Sequence, residues 1–170
     1  TRDPRGLRDR KRQRQAGCGL IRNNAPMADD AELIAALSLR RLAENYARAV
    51  DLGDGDLFAA QFTSDGVLDA PRGRFVGREA LASVPPMMRK RYSRTFHAVF
   101  NQIPTFDGDR ASAETYCIAR HFYADKDGAR LCYEMTIRYL DEFSRGAEGW
   151  LISKRALIVD ATQTFAIDAN

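Results

Sequence analysis

An α+β domain, with its helices first and a long antiparallel sheet after them, is the fold class this sequence predicts. Three observations carry that expectation. Apolar residues recur at spacings of three and four between residues 28 and 50, the period changes to two from Tyr92 onward, and the extended runs that follow are separated by short turns rich in Asp and Gly.

Ala28 to Val50 is the clearest helix: Leu33, Leu37, Tyr46 and Val50, with Ile34, Leu39 and Leu42 beside them, make one broad apolar face. Asp29, Asp30 and Glu32 place carboxylates where the first amides lack partners. The run Leu52-Gly53-Asp54-Gly55-Asp56 ends the helix, because glycine reaches conformations closed to other residues. A short helix fits Asp56 to Phe62. Val67 to Ala70 is a strand, Pro71-Arg72-Gly73 a turn and Arg74 to Val76 its return. Gly77 opens a third helix, from Arg78 to about Arg91, which Pro85 and Pro86 should break in its middle. Four long strands follow: Arg94 to Ile103, Ala111 to Tyr123, Leu131 to Phe143 and Trp150 to Thr162. The turns between them suit antiparallel hairpins.

The chain of 170 residues is the size of a single domain. The expected organisation is a basic N-terminal extension over residues 1–27, with Met27 as a natural first residue, a domain over residues 28–165 and a tail over residues 166–170. The extension holds eight Arg or Lys and two Asp, which leaves 18 basic and 21 acidic residues for the rest. The positive charge is therefore an arm and not a basic face on the domain, and no nucleic-acid partner is expected. No apolar run is long enough to span a bilayer, so no membrane partner is expected and the cytoplasm is the expected location. Cys18, Cys117 and Cys132 lack the spacing of a zinc site, and no glycine loop for phosphate, serine nucleophile turn or histidine-rich cluster is present. No metal and no cofactor are expected.

The two histidines are the informative positions. His97 shares a strand face with Thr95, Val99 and Asn101, while Phe96, Ala98 and Phe100 point the other way. His121, near a strand end, is the weaker candidate. Asp51 ends the first helix directly after an apolar turn, where it either caps the following loop or meets an imidazole, and Asp69 is the alternative carboxylate. An Asp bonded to one imidazole nitrogen fixes the tautomer and leaves the other nitrogen to accept a proton. Met87, Met88 and Tyr92 form a pliable wall.

At these residues the sequence resembles a known family. Tyr46-Ala47-Arg48-Ala49-Val50-Asp51, then Asp56-Leu57-Phe58 and Phe62-Thr63-Ser64-Asp65-Gly66-Val67, look like the opening of the SnoaL-like branch of the NTF2-like superfamily. Gly73 to Glu79, His97 with Asn101, Asp107 to Ala111, Arg138 to Asp141 and Gly149-Trp150 continue the pattern over about residues 32 to 160. The resemblance implies an NTF2-like cone-shaped barrel, with N-terminal helices on a strongly curved, mixed, mostly antiparallel sheet, near the scytalone dehydratase, dehydrochlorinase and polyketide cyclase group. It implies His97 and Asp51 as a catalytic dyad, and Tyr46, Leu68 and Thr95 as pocket-lining residues. Met88, Tyr133 and Arg138 complete the expected substrate-binding set. Arg138 either stabilises a substrate oxygen or faces solvent, and Arg155 carries the same ambiguity. The chain departs from the dehydrochlorinase at Tyr46, where a phenol can donate to a developing oxygen. The expected activity is that of a cofactor-independent lyase or isomerase of a small hydrophobic cyclic or aromatic compound. The alternative is a non-catalytic binding protein using the same pocket. A homodimer or homotrimer is the expected assembly.

Overall fold

The computed structural model describes residues 29–168, so the basic extension expected over residues 1–27 lies outside the described residues. The first helix, α1, spans Asp30–Leu52. Asp29 caps its start by accepting from the amide of Glu32 at 2.7 Å. At its end Gly53 adopts φ 74°, its N–H bonds to the carbonyl of Val50, and the amide of Asp54 reaches back to the carbonyl of Ala49. That pair of bonds is a Schellman closure, which favours glycine at the left-handed position. Asp54 then caps α2, Gly55–Ala59, by accepting from the amide of Leu57. The buried face of α1 begins at Leu39 and includes Leu42, Tyr46, Ala49 and Val50, whereas Leu33, Ile34 and Leu37 are exposed.

The hairpin β1, Phe62–Ala70, and β2, Gly73–Val76, leads into two short helices, α3, Gly77–Ala82, and α4, Val84–Arg91. The expected third helix is therefore two, and the break falls at Ser83 rather than at the prolines. Pro85 and Pro86 occupy the first turn of α4, where a missing N–H costs no intrahelical bond. The remaining strands are β3, Arg94–Asp107, β4, Arg110–Ala124, β5, Arg130–Gly146, and β6, Gly149–Ala166. All six strands form one sheet in the order β2-β1-β6-β5-β4-β3, parallel between β1 and β6 and antiparallel elsewhere. The mixed, mostly antiparallel sheet is thus as expected.

The expected strongly curved, cone-shaped barrel is not what the chain builds. The sheet is open, with β2 and β3 as its two edges and no ladder joining them. Side chains of α1 occupy the edge of β3: Asp51 accepts from the amide of His97, and Arg40 donates to the carbonyls of Val99 and Phe100. At the other edge β2 has four residues and pairs only with the end of β1. Closure would require displacing the α1 contacts and extending β2.

Helices cover one face of the sheet. That inner face carries Leu68 on β1, Ala113, Cys117 and Ala119 on β4, Ile137, Tyr139 and Phe143 on β5 and Ile152 on β6, packed with Leu39, Tyr46 and Val50 of α1. Replacing Gly53 with Ala should lower stability by about 1–2 kcal/mol, because a Cβ is strained at φ 74° and would meet Arg89 Cγ at 2.6 Å. Urea denaturation monitored by circular dichroism measures it, and an unchanged midpoint would refute the closure's importance.

Candidate active site

Asp51 sits in the last turn of α1, a turn without a basic residue. A carboxylate there faces the negative end of the helix dipole, an unfavourable placement unless donors compensate it. Three do. Thr95 Oγ1 donates to Oδ1 at 2.8 Å, the His97 amide donates to Oδ2 at 3.0 Å, and His97 Nδ1 lies 2.7 Å from Oδ1. Burial pushes the Asp51 carboxyl up, but the bonds from His97 and Thr95 and the charge of His97 outweigh it and hold the group below its ordinary value. A carboxylate only accepts, so Nδ1 carries a proton, and Nε2 is the nitrogen turned away from Asp51. The His97 side chain is 6% exposed and that of Asp51 27%.

His121 belongs to the same cluster. Its ring meets that of His97 edge to face at 5.8 Å, lies 4.7 Å from that of Tyr92 and 5.8 Å from that of Tyr133. Nδ1 of His121 is 3.2 Å from the carbonyl of Tyr133 and so donates to it. Burial, and then the neighbouring charge of His97, pushes this imidazole down to about 4 and keeps it neutral near neutral pH.

A second cluster lies along α1 from the first. Arg155 is fully buried and forms two bonds of 2.7 Å to Asp141, and its Cζ stands 4.2 Å from the ring centroids of both Tyr46 and Tyr139. Burial penalises the guanidinium charge, but Asp141 outweighs it and the group stays firmly protonated. Thr115 links Asp141 to Gln102, while Arg155 Nη1 and Gln102 Oε1 are buried without partners among the described residues. Burial pushes the Tyr46 phenol up to about 12, so it remains a hydrogen-bond donor. Cys117 lies between the clusters: burial raises its thiol to about 11, and the charges of both Arg155 and Asp51 act on it.

Six of the eight expected residues join these clusters. His97, Asp51 and Thr95 meet directly, Tyr133 joins through His121, and Tyr46 packs on Arg155, whose register partner is Leu68. Met88 packs on the core from α4. Arg138 does not belong. It lies on the uncovered face, bonded to Asp160 and Glu114, so the surface-charge reading holds for it and Arg155 is the interior arginine. Asp69 is bonded to Arg74 at the hairpin and is not His97's partner. Two cavities, of about 430 and 250 Å³, lie away from the dyad: one around Ile103, Leu140 and Lys154, the other around Glu134 and Thr162. Among the described residues, no three His, Cys, Asp or Glu side chains converge as a metal site, and no helix is long and apolar enough to cross a membrane.

Residues 31–156 match the family described as the SnoaL-like domain. The chain belongs to that family. Among solved structures, this SnoaL-like chain is similar to a candidate scytalone dehydratase from Novosphingobium aromaticivorans, with 21% identity, 84% of this chain and 95% of the other covered, and a TM-score of 0.72. A candidate aromatic ring hydroxylase from the same organism matches at 25% identity, covering 79% and 94%, with a TM-score of 0.68. The hexachlorocyclohexane dehydrochlorinase LinA-type3 from Novosphingobium barchaimii matches at 17% identity, covering 81% and 94%, with a TM-score of 0.70. No curated protein matches the chain.

Because the folded Asp51 carboxyl lies below its unfolded value, its stabilising contribution is present above the ordinary carboxylate range, near about pH 4, and is lost as pH falls through the folded value. The stability difference between wild type and Asp51→Asn should therefore shrink as pH drops below about 4. Denaturant titrations across that range measure it, and a difference independent of pH would refute the assignment.

Proposed function

We propose that the protein is a cofactor-independent lyase or isomerase that removes a proton from a small hydrophobic cyclic or aromatic compound. The observation that carries this reading is the 2.7 Å contact between His97 Nδ1 and Asp51, which engages one ring nitrogen and leaves Nε2 as the one that can take a proton from a substrate. Nε2 takes the proton beside an activated carbon. The released electron pair expels a leaving group, or shifts a double bond whose far end is reprotonated. Asp51 orients the ring and stabilises the imidazolium that forms.

The second cluster supplies what the developing charge needs. Tyr46 is a neutral phenol, and Arg155 Nη1 is a buried donor without a partner, so either can stabilise a developing oxygen anion in a site shielded from water. Family membership supports catalysis, and solved structures of the same fold include one named as a candidate scytalone dehydratase and one named as a hexachlorocyclohexane dehydrochlorinase. Because the dyad side chains are packed, substrate access requires neighbouring side chains to move.

Mass-spectrometric screening of cyclic and aromatic compounds should reveal a substrate whose turnover falls by about 10²- to 10⁴-fold in His97→Ala. Asp51→Asn should lower kcat as well, and Tyr46→Phe should lower it by a smaller factor. Unchanged turnover in His97→Ala would refute the base assignment.

The domain over residues 28–165 is proposed to work as a homodimer or homotrimer. The uncovered face of the sheet exposes Phe96, Ile103, Tyr116, Leu140 and Ile158, a surface that a second copy would shield. Light scattering should give a multiple of the chain mass, and a single-chain mass at every concentration would overturn this.

A further inference from the structure

We propose that Arg72 recognises a carboxylate on the ligand of the His97 site, so that the protein selects small aromatic or cyclic acids over their neutral counterparts. This rests on the site of the reading above and adds the charge class of its ligand.

The hairpin between β1 and β2 holds two arginines in different circumstances. Arg74 Nη1 contacts both oxygens of Asp69, at 3.0 and 3.1 Å. Arg72 has no carboxylate partner among the described residues, and its Nη1 donates instead to the hydroxyl of Tyr92 at 3.2 Å. Tyr92 is held firmly. It caps the end of α4 through its amide to Met88, and the next residue, Ser93, bonds to Phe122 of β4 through both its amide and its hydroxyl. The buried Tyr92 ring lies against His121, which lies against His97. Arg72, an exposed residue, therefore stands at the outer end of a chain of ring contacts, Tyr92 to His121 to His97, whose inner end is the proposed base.

The surroundings leave this cation unneutralised. Arg91, in the last turn of α4 with Arg89 and Lys90, places its Cζ 5.5 Å from the Tyr92 centroid and adds positive charge. Asp51 is already committed to three donors. A phenol oxygen occupies one of the five N–H donors of a guanidinium, whereas a carboxylate takes two in parallel with charge assistance. Exchange of the Tyr92 hydroxyl for a ligand carboxylate is favourable on that count.

The chain contains two histidines, both in this cluster, so their imidazole NMR signals report on the site alone. Titration at fixed pH with sodium benzoate should shift them saturably, with benzamide about tenfold weaker. Arg72→Gln should bind benzoate no better than benzamide, and Arg72→Lys should retain part of the preference. Equal response to both probes, response to neither, or an undiminished benzoate preference in Arg72→Gln would overturn the proposal. The readout is binding, so it separates the two readings. A benzoate preference that depends on Arg72, in a protein whose turnover is unaffected by His97→Ala, supports this assignment and counts against His97 as the base.

Discussion

The carboxylate of Asp51 ties the helical layer to the edge of the sheet. It accepts the hydroxyl of Thr95, the amide of His97 and the ring N–H of the same histidine, so one group satisfies an exposed edge amide and sets an imidazole tautomer. The helix dipole alone would disfavour it by about 0.3–1 kcal/mol, and the three donors reverse that balance. Structure and candidate chemistry therefore rest on the same bonds. The position of α1 over β3 and the orientation of the His97 ring are not separable.

The interior shows the same economy at a larger energetic scale. Arg155 and Asp141 are both removed from water, a costly arrangement unless the pair is well bonded. The two bonds between them, the rings of Tyr46 and Tyr139 on the guanidinium, and the link to Thr115 provide that compensation. The uncovered face handles charge differently. Arg138 with Glu114 and Asp160, and Lys154 with Glu142, are partly solvated pairs that keep an otherwise apolar sheet surface polar in stripes.

The order of elements was legible from a local signature, helical spacing ending at a glycine run, and His97 stood out in an alternating strand; its pairing with Asp51, rather than with Asp69, came from the family resemblance. The fate of the two arginines was not legible. Which face Arg138 and Arg155 take depends on the parity of β5 and β6, and register shifts at Thr136/Ile137 and Glu142/Phe143 alter that parity between the strands without a Gly or Pro to mark them. The place of His121 beside His97 was illegible for a related reason. It comes from register, since His121 pairs with Thr95 across the ladder, one row from His97 and Ala119. The expected barrel failed on a non-local fact: the sheet ends at β2 and β3, and the β3 edge is occupied by Asp51 and Arg40 of α1, which strand length does not reveal. The matched family and the helix-then-sheet order were right; the shape inferred from them was not.

The corner at Gly53 and Asp54 also bears on where the molecule can flex. Asp54 closes α1 with its amide and starts α2 with its side chain, and Gly55 packs so closely on α3 that a Cβ there would meet the carbonyl of Ala82 at 2.1 Å. The three helices therefore meet in a joint with little slack, and Asp51 stands immediately before it. Across the cluster, the Pro71-Arg72 turn meets Tyr92, just before β3, through a side-chain hydrogen bond of 3.2 Å. Asp51 thus hangs the orientation of the His97 ring on the packing of three helices, so a change anywhere in that joint reaches the imidazole.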